Sequence, residues 1–128
     1  VFAYQFVVGL FPTNCNIRGD MMEILNQSNW KEFLSSPISV LILSKTDCDS
    51  CDAWFTELKA YEIPPEIRLG KLLLDSPGLG RFKIENDWVA NIDILPFNAI
   101  YANGEVKKQW AGGGIERLQT RLNHIMSP

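Results

Sequence analysis

The sequence predicts an α/β domain built on a mixed central β-sheet with helices on both faces. Short apolar runs of strand type alternate with stretches of helical spacing. Strands joined by such helical crossovers should be parallel. The last two runs instead flank Asn103-Gly104, the strongest short hairpin signal, so the sheet should end antiparallel. The 128 residues suit one domain, and 46% apolar with 21% charged residues is the balance of a soluble globular chain.

The elements follow in order. Val1 to Phe11 is apolar, broken only by Gln5 and Gly9, and a polar stretch runs from Thr13 to Asp20. It has no basic start and no small-residue cleavage site. Residues 1–20 are expected to lie outside the fold, as a leader, a truncated signal or anchor, or upstream sequence translated by mistake. An extra edge strand is the alternative. Cys15 lies here without a neighbour that gives it a role, and the domain is placed at 21–128.

Met22 to Leu25 reads as a short strand. Asn29 with Glu32 resembles a capping box, opening a helix with Trp30, Phe33 and Leu34 on one face and Pro37 as its stop. Ile38 to Leu43 is the run of a strand buried on both faces. After Cys48 a helix turns Trp54, Phe55 and Leu58 inward and ends at Pro64-Pro65; Ile67 to Leu74 is the next strand. Ser76-Pro77 reads as an N-cap and first helical residue. A helix over 78–90 would then bury Leu79, Phe82 and Trp88, weakened by Gly78 and Gly80 at ~1 kcal/mol each. Phe97 to Ala102 and Glu105 to Trp110 form the hairpin, and Gly112-Gly113-Gly114 breaks the sheet. Ile115, Leu118, Leu122 and Ile125 recur at helical spacing, with Arg121 and His124 in the last turn to complement the dipole.

Charge and cysteine usage narrow the function. A net charge of -3 and a pI near 5.1 give no basic excess for nucleic acid or anionic membrane. No apolar run reaches ~18 residues, so none spans a bilayer unaided. Three cysteines are too few for a disulfide scaffold.

Two of them stand as Cys48-Asp49-Ser50-Cys51, between a strand and a helix. A thiolate is the attacking species, and a helix N-terminus stabilises it through free N–H groups and dipole. Cys48 is the more exposed thiol and the nucleophile. Cys51, one turn on, resolves the mixed disulfide and closes the 48–51 bond. Asp47, Asp49 and Asp52 oppose the dipole and should raise the thiol pKa, with Lys45 the only nearby cation. A reductant-like disulfide follows. Two other readings stay open: half a zinc site completed by Cys15 and His124, or two unreactive core cysteines. Zinc ligands more often come as two close-spaced couples, and the βαβ context suits a redox pair.

The remaining features are weaker. Neither Gly78-Leu79-Gly80 nor Gly112-Gly113-Gly114 has the spacing of a phosphate loop. His124 is the only histidine, read as a surface or capping residue, and no serine–histidine–acid set can be built from it. Trp54 and Phe55 read as core rather than substrate platform. Trp88 is placed to shape a partner surface.

Residues 22–126 resemble thioredoxin. The carriers are Lys45-Thr46-Asp47-Cys48-Asp49-Ser50-Cys51, Lys71-Leu72-Leu73-Leu74-Asp75, Ile94-Leu95-Pro96, Asn103-Gly104-Glu105-Val106 and Gly112. The resemblance implies the thioredoxin fold and a cis-proline at Pro96 facing the cysteines. It also implies a Leu95 backbone that pairs with an extended substrate segment, and Gly112 beside the site. An ordinary trans proline opening an edge strand is the other reading of Pro96. The family's Trp before the first cysteine is here Asp47, and its Gly-Pro is Asp49-Ser50. Its buried aspartate, six positions before that cysteine, is Ile42. Cys51 then lacks a buried base, and Lys71 lacks its partner and is not expected to stay buried. Thr56 replaces a kinking proline, so the helix should run straighter. The stretch from Asp75 to Pro96 is about six residues longer than in the family, an excess assigned to a surface loop.

The resemblance implies a thiol–disulfide oxidoreductase acting in electron transport and cell redox homeostasis. It would reduce disulfide-bearing protein substrates and be recharged by a reductase or dithiol donor. It would act as a monomer, with no cofactor beyond the 48–51 disulfide. A thioredoxin-fold binding or adaptor module is the alternative. A reducing cytoplasm suits the first reading, while the apolar stretch 1–11 allows an exported or membrane-tethered form.

Overall fold

The computed structural model describes residues 22–127. The expectations for 1–20, including the leader, the extra edge strand and Cys15, lie outside the described residues.

The elements are β1 (Met22–Ile24), α1 (Trp30–Leu34), β2 (Ile38–Ser44), α2 (Asp49–Ala60), β3 (Arg68–Leu73) and α3 (Gly80–Glu85). A 3-10 turn (Asp87–Asn91), β4 (Phe97–Ala102), β5 (Glu105–Ala111) and α4 (Ile115–Met126) follow. The sheet order is β1-β3-β2-β4-β5. β3 pairs parallel with β1 and β2; β4 pairs antiparallel with β2 and β5. This is the mixed sheet expected from the chain's alternation.

β2 lies at its centre, and Val40 to Leu43 are fully buried. Alternation along the strand sends them to opposite faces. Val40 and Ile42 join Cys51, Trp54, Leu58, Leu118 and Leu122 from α2 and α4. Leu41 and Leu43 join Trp30 and Phe33 from α1, Leu79 just before α3 and Phe82 within it. Burial of each such side chain contributes roughly 1.5–3 kcal/mol, so the two layers hold β2, and the cysteine loop after it, from both sides. At the hairpin, Asn103 (φ 53°) and Gly104 (φ 87°) both occupy the left-handed region that a two-residue turn demands.

Five local readings are corrected. The capping box does not form: Asn29 Oδ1 accepts from Asn26 N at 2.7 Å and caps nothing in α1. Glu32 is drawn away by Arg68, whose guanidinium donates to Glu23, Glu32 and Ser36. Ser76 is not a helix cap; its Oγ donates back to the Leu73 carbonyl at 2.6 Å. The predicted helix over 78–90 starts at Gly80 and breaks at Asn86, whose side chain donates to Phe82 O and accepts from the Tyr101 hydroxyl. The longer Asp75–Pro96 stretch is no plain surface loop either. It folds into α3 and the 3-10 turn, burying Val89 and setting Trp88 against Phe97 with ring centroids 5.8 Å apart. Trp88 is half-buried rather than core.

Candidate functional site

β2 delivers the chain to Ser44, and Lys45 to Asp47 turn it into α2. Asp47 takes φ 58°, a region that Asp and Asn tolerate better than most residues. The turn is pinned to the end of β3, where the Asp75 carboxylate accepts from Thr46 N at 3.1 Å. That backbone N–H holds the Asp75 carboxyl below its ordinary value.

Cys48 is the N-cap of α2, with extended backbone (φ -117°, ψ 101°). Its Sγ accepts from Cys51 N at 3.3 Å, so the sulfur occupies the end of the helix where N–H groups are unpaired. Cys48 and Cys51 are joined by a disulfide, their Cα atoms 5.2 Å apart. Cys51 is fully enclosed and Cys48 is 8% exposed. The expected order of exposure holds, but Cys48 is a buried residue with a sulfur at the edge of a groove, not an open one.

Lys45, Asp49, Ser50, Ile92, Asp93 and Leu95 line that groove beside Cys48. Ser50 Oγ donates to Leu95 O at 3.1 Å and lies 3.6 Å from Cys48 Sγ. The Leu95–Pro96 bond is cis, and Gly112 N donates to Pro96 O at 2.8 Å from a φ of 87° that favours glycine. The fold thus links Cys48, Cys51, Ser50, Leu95, Pro96 and Gly112 through consecutive bonds. Asp47, Asp49 and Asp52 all face solvent around the pair.

The departures from thioredoxin have structural answers. Ile42 is fully buried in the apolar cluster that encloses Cys51. Lys71, its register partner on β3, is half-exposed and sets Nζ 4.4 Å from the Phe55 ring centroid. An aromatic face substitutes there for a carboxylate. Thr56 Oγ1 donates to Asp52 O within an uninterrupted α2. Trp54 and Phe55 are core residues, as read.

The sequence reading missed Asn98. This buried side chain accepts from Trp54 Nε1 at 2.9 Å and donates to Gly112 O at 2.7 Å and Trp110 O at 3.2 Å. It ties the cysteine helix to the strand ends beside Pro96. A lone polar residue inside Phe97-Asn98-Ala99-Ile100-Tyr101 was the available signal. Arg117 was missed too: it donates to Ala111 O and Gly113 O, holding the glycine turn. Arg121 lies short of the last turn, which holds only His124 of the two; it donates to Arg117 O and sits over Trp110 at 4.6 Å. Among the described residues no three His, Cys, Asp or Glu side chains are placed to share a metal ion.

Known proteins can now be set beside this geometry. No family model and no curated protein matches the chain. Solved structures do. Thioredoxin f2 of Chlamydomonas reinhardtii is 16% identical at a TM-score of 0.67, over 84% of this chain and 98% of that one. Spinach chloroplast thioredoxin f, long form, is 16% identical at 0.63, over 87% and 90%. Oxidised thioredoxin of Plasmodium falciparum is 15% identical at 0.62, over 83% and 99%. The chain has the thioredoxin fold, with a Cys-x-x-Cys disulfide at the junction of β2 and α2.

Proposed function

We propose that the protein is a thiol–disulfide oxidoreductase that reduces disulfides in protein substrates. The observation that carries this reading is the Cys48–Cys51 disulfide at the N-terminus of α2, beside the Leu95 backbone. In the reduced protein the Cys48 thiolate attacks one sulfur of a substrate disulfide. A Cys48–substrate bond forms, the substrate S–S bond breaks, and the leaving thiolate takes a proton from water. Cys51 then loses its proton and attacks Cys48 Sγ. The mixed disulfide breaks, the second substrate thiol departs, and the 48–51 bond closes. The substrate gains two electrons and two protons, and the protein's dithiol is oxidised. A reductase or a dithiol donor restores it.

Leu95, Pro96 and Gly112 form the docking edge in this reading, with the Leu95 backbone taking an extended segment by strand addition. The exposed Asp47, Asp49 and Asp52 oppose the helix dipole and favour a reductant-like pair. The proposal includes a monomer, no cofactor beyond the disulfide, and a reducing cytoplasm, with an exported or tethered form as the alternative. No helix among the described residues is long and apolar enough to cross a membrane.

One observation favours a second reading, a binding or adaptor module with little turnover: Ile42 packs in the cluster around Cys51 and offers it no base. A disulfide-reduction assay separates the two. Wild type should outpace Cys48→Ser, and Cys51→Ser should trap mixed disulfides with its partners. A wild type no faster than Cys48→Ser leaves the adaptor reading.

A further inference from the structure

Ser50 holds one hydroxyl proton between two acceptors. In the disulfide form its Oγ donates to Leu95 O at 3.1 Å, and the same oxygen lies 3.6 Å from Cys48 Sγ. We propose that Ser50 is a positioning residue that makes substrate docking depend on redox state: its hydroxyl covers the Leu95 carbonyl in the oxidised protein and turns to Cys48 in the reduced one. The inference rests on the thiol–disulfide reading above.

The physical argument is a competition for one proton. A disulfide sulfur is uncharged and a weak acceptor, so the carbonyl keeps the hydroxyl. Reduction frees a thiol at Cys48 that becomes a thiolate above its pKa, and hydrogen bonds to an ionised acceptor are roughly twice as strong as neutral ones. Both acceptors already surround the same oxygen, so rotation about the Ser50 Cα–Cβ and C–O bonds is enough to switch. The Leu95 carbonyl is then free to accept an N–H from an extended substrate segment. Attack on the substrate disulfide discharges Cys48, because the negative charge leaves with the first substrate thiol as the mixed disulfide forms. The hydroxyl returns to Leu95 O and competes with the docked segment. Ser50 exchanges no electrons and forms no covalent bond; only its hydrogen bond moves.

Other charges face Cys48, and their placement makes the test specific. Lys45 from the loop, Asp49 from α2 and Asp93 from the stretch before Leu95 share its groove, while Asp47 and Asp52 are exposed neighbours in sequence, Asp52 lining a separate groove with Lys71. Asp75 reaches the loop from the end of β3 through Thr46. None of them hydrogen-bonds to Ser50 Oγ, so Ser50→Ala removes the hydroxyl and leaves their charges in place.

Two measurements test the switch. The first is the pH dependence of iodoacetamide alkylation at Cys48 in the reduced protein, read by peptide mapping. Ser50→Ala should raise the midpoint by about one pH unit, and Ser50→Thr, which keeps the hydroxyl, should restore it. The second is the carbonyl-carbon resonance of Leu95, recorded at a pH above the alkylation midpoint of each protein. In wild type it should move on reduction toward its position in Ser50→Ala, and in Ser50→Ala it should move much less. Superimposable alkylation profiles for wild type and Ser50→Ala overturn the proposal. So does a Leu95 resonance that responds to reduction equally in both. Neither readout needs turnover. A protein that fails to reduce insulin overturns the proposed function and the docking role with it, whereas one that reduces insulin but shows no Ser50 effect overturns the switch alone.

Discussion

Cys48 and Asn98 are the two residues on which the site depends most. Cys48 combines a helix N-terminus, which lowers a thiol's pKa, with three exposed carboxylates, which raise it. The carboxylates should keep the thiol less acidic than in strongly oxidising enzymes. Alkylation kinetics of reduced wild type should give Cys48 a pKa above about 6, against ~8.5 for a free thiol; a lower value removes the electrostatic argument. Asn98 is a satisfied polar group in an apolar layer. Asn98→Leu would leave the Trp54 indole N–H and two carbonyls without their partner. Chemical denaturation should show a loss of about 3 kcal/mol, since each buried group left unpaired costs roughly 1–3 kcal/mol. Its effect on exchange should follow, because the same bonds join α2 to the strand ends at Gly112.

At the scale of elements, α2 and β2 act together. β2 places the apolar Ile42 in the cluster that encloses Cys51, so in the proposed exchange the resolving step would lose its proton to water. Decay of the mixed disulfide should therefore rise roughly tenfold per pH unit up to the thiol range, measured by quenched single-turnover kinetics. A rate independent of pH between 6 and 8 points to a base elsewhere in the fold. The same elements show how much was legible beforehand. β2 was readable because four successive buried residues leave one place for such a run, the centre of a two-layer sheet. The β4–β5 hairpin was readable because Asn103-Gly104 demands positive φ. The start of α3 and the capping of α1 were not: Ser76 and Asn29 had caps available by type, but nearer backbone partners and the long-range pull of Arg68 on Glu32 won. The break at Asn86 depends on Tyr101, fifteen positions away, which no local pattern contains. Within the site, the cysteines and Leu95-Pro96 could be found by motif. The Ser50–Leu95 bond and the Asn98 network could not, because both join distant segments.

Over the whole molecule, surface carboxylates make stability depend on acid. Bonds from Arg68 hold Glu32 below its ordinary 4.5, bonds from Lys31 do the same for Glu85, and Thr46 N–H holds Asp75 below 3.8. In that range the unfolded chain binds more protons than the folded one, so stability rises with pH. The contribution is complete above the ordinary values and is lost as pH falls through the lower folded ones. The urea midpoint should drop between pH 5 and pH 3, and Glu32→Gln should drop less steeply than wild type. In the proposed function, a thioredoxin fold with Ile42 beside Cys51 still exchanges disulfides through Cys48 and Cys51. The most direct measurement is insulin reduction by wild type and Cys48→Ser, with dithiothreitol as donor. Wild type should exceed Cys48→Ser by at least about tenfold, a difference of ~1.4 kcal/mol in barrier; equal rates would contradict the account.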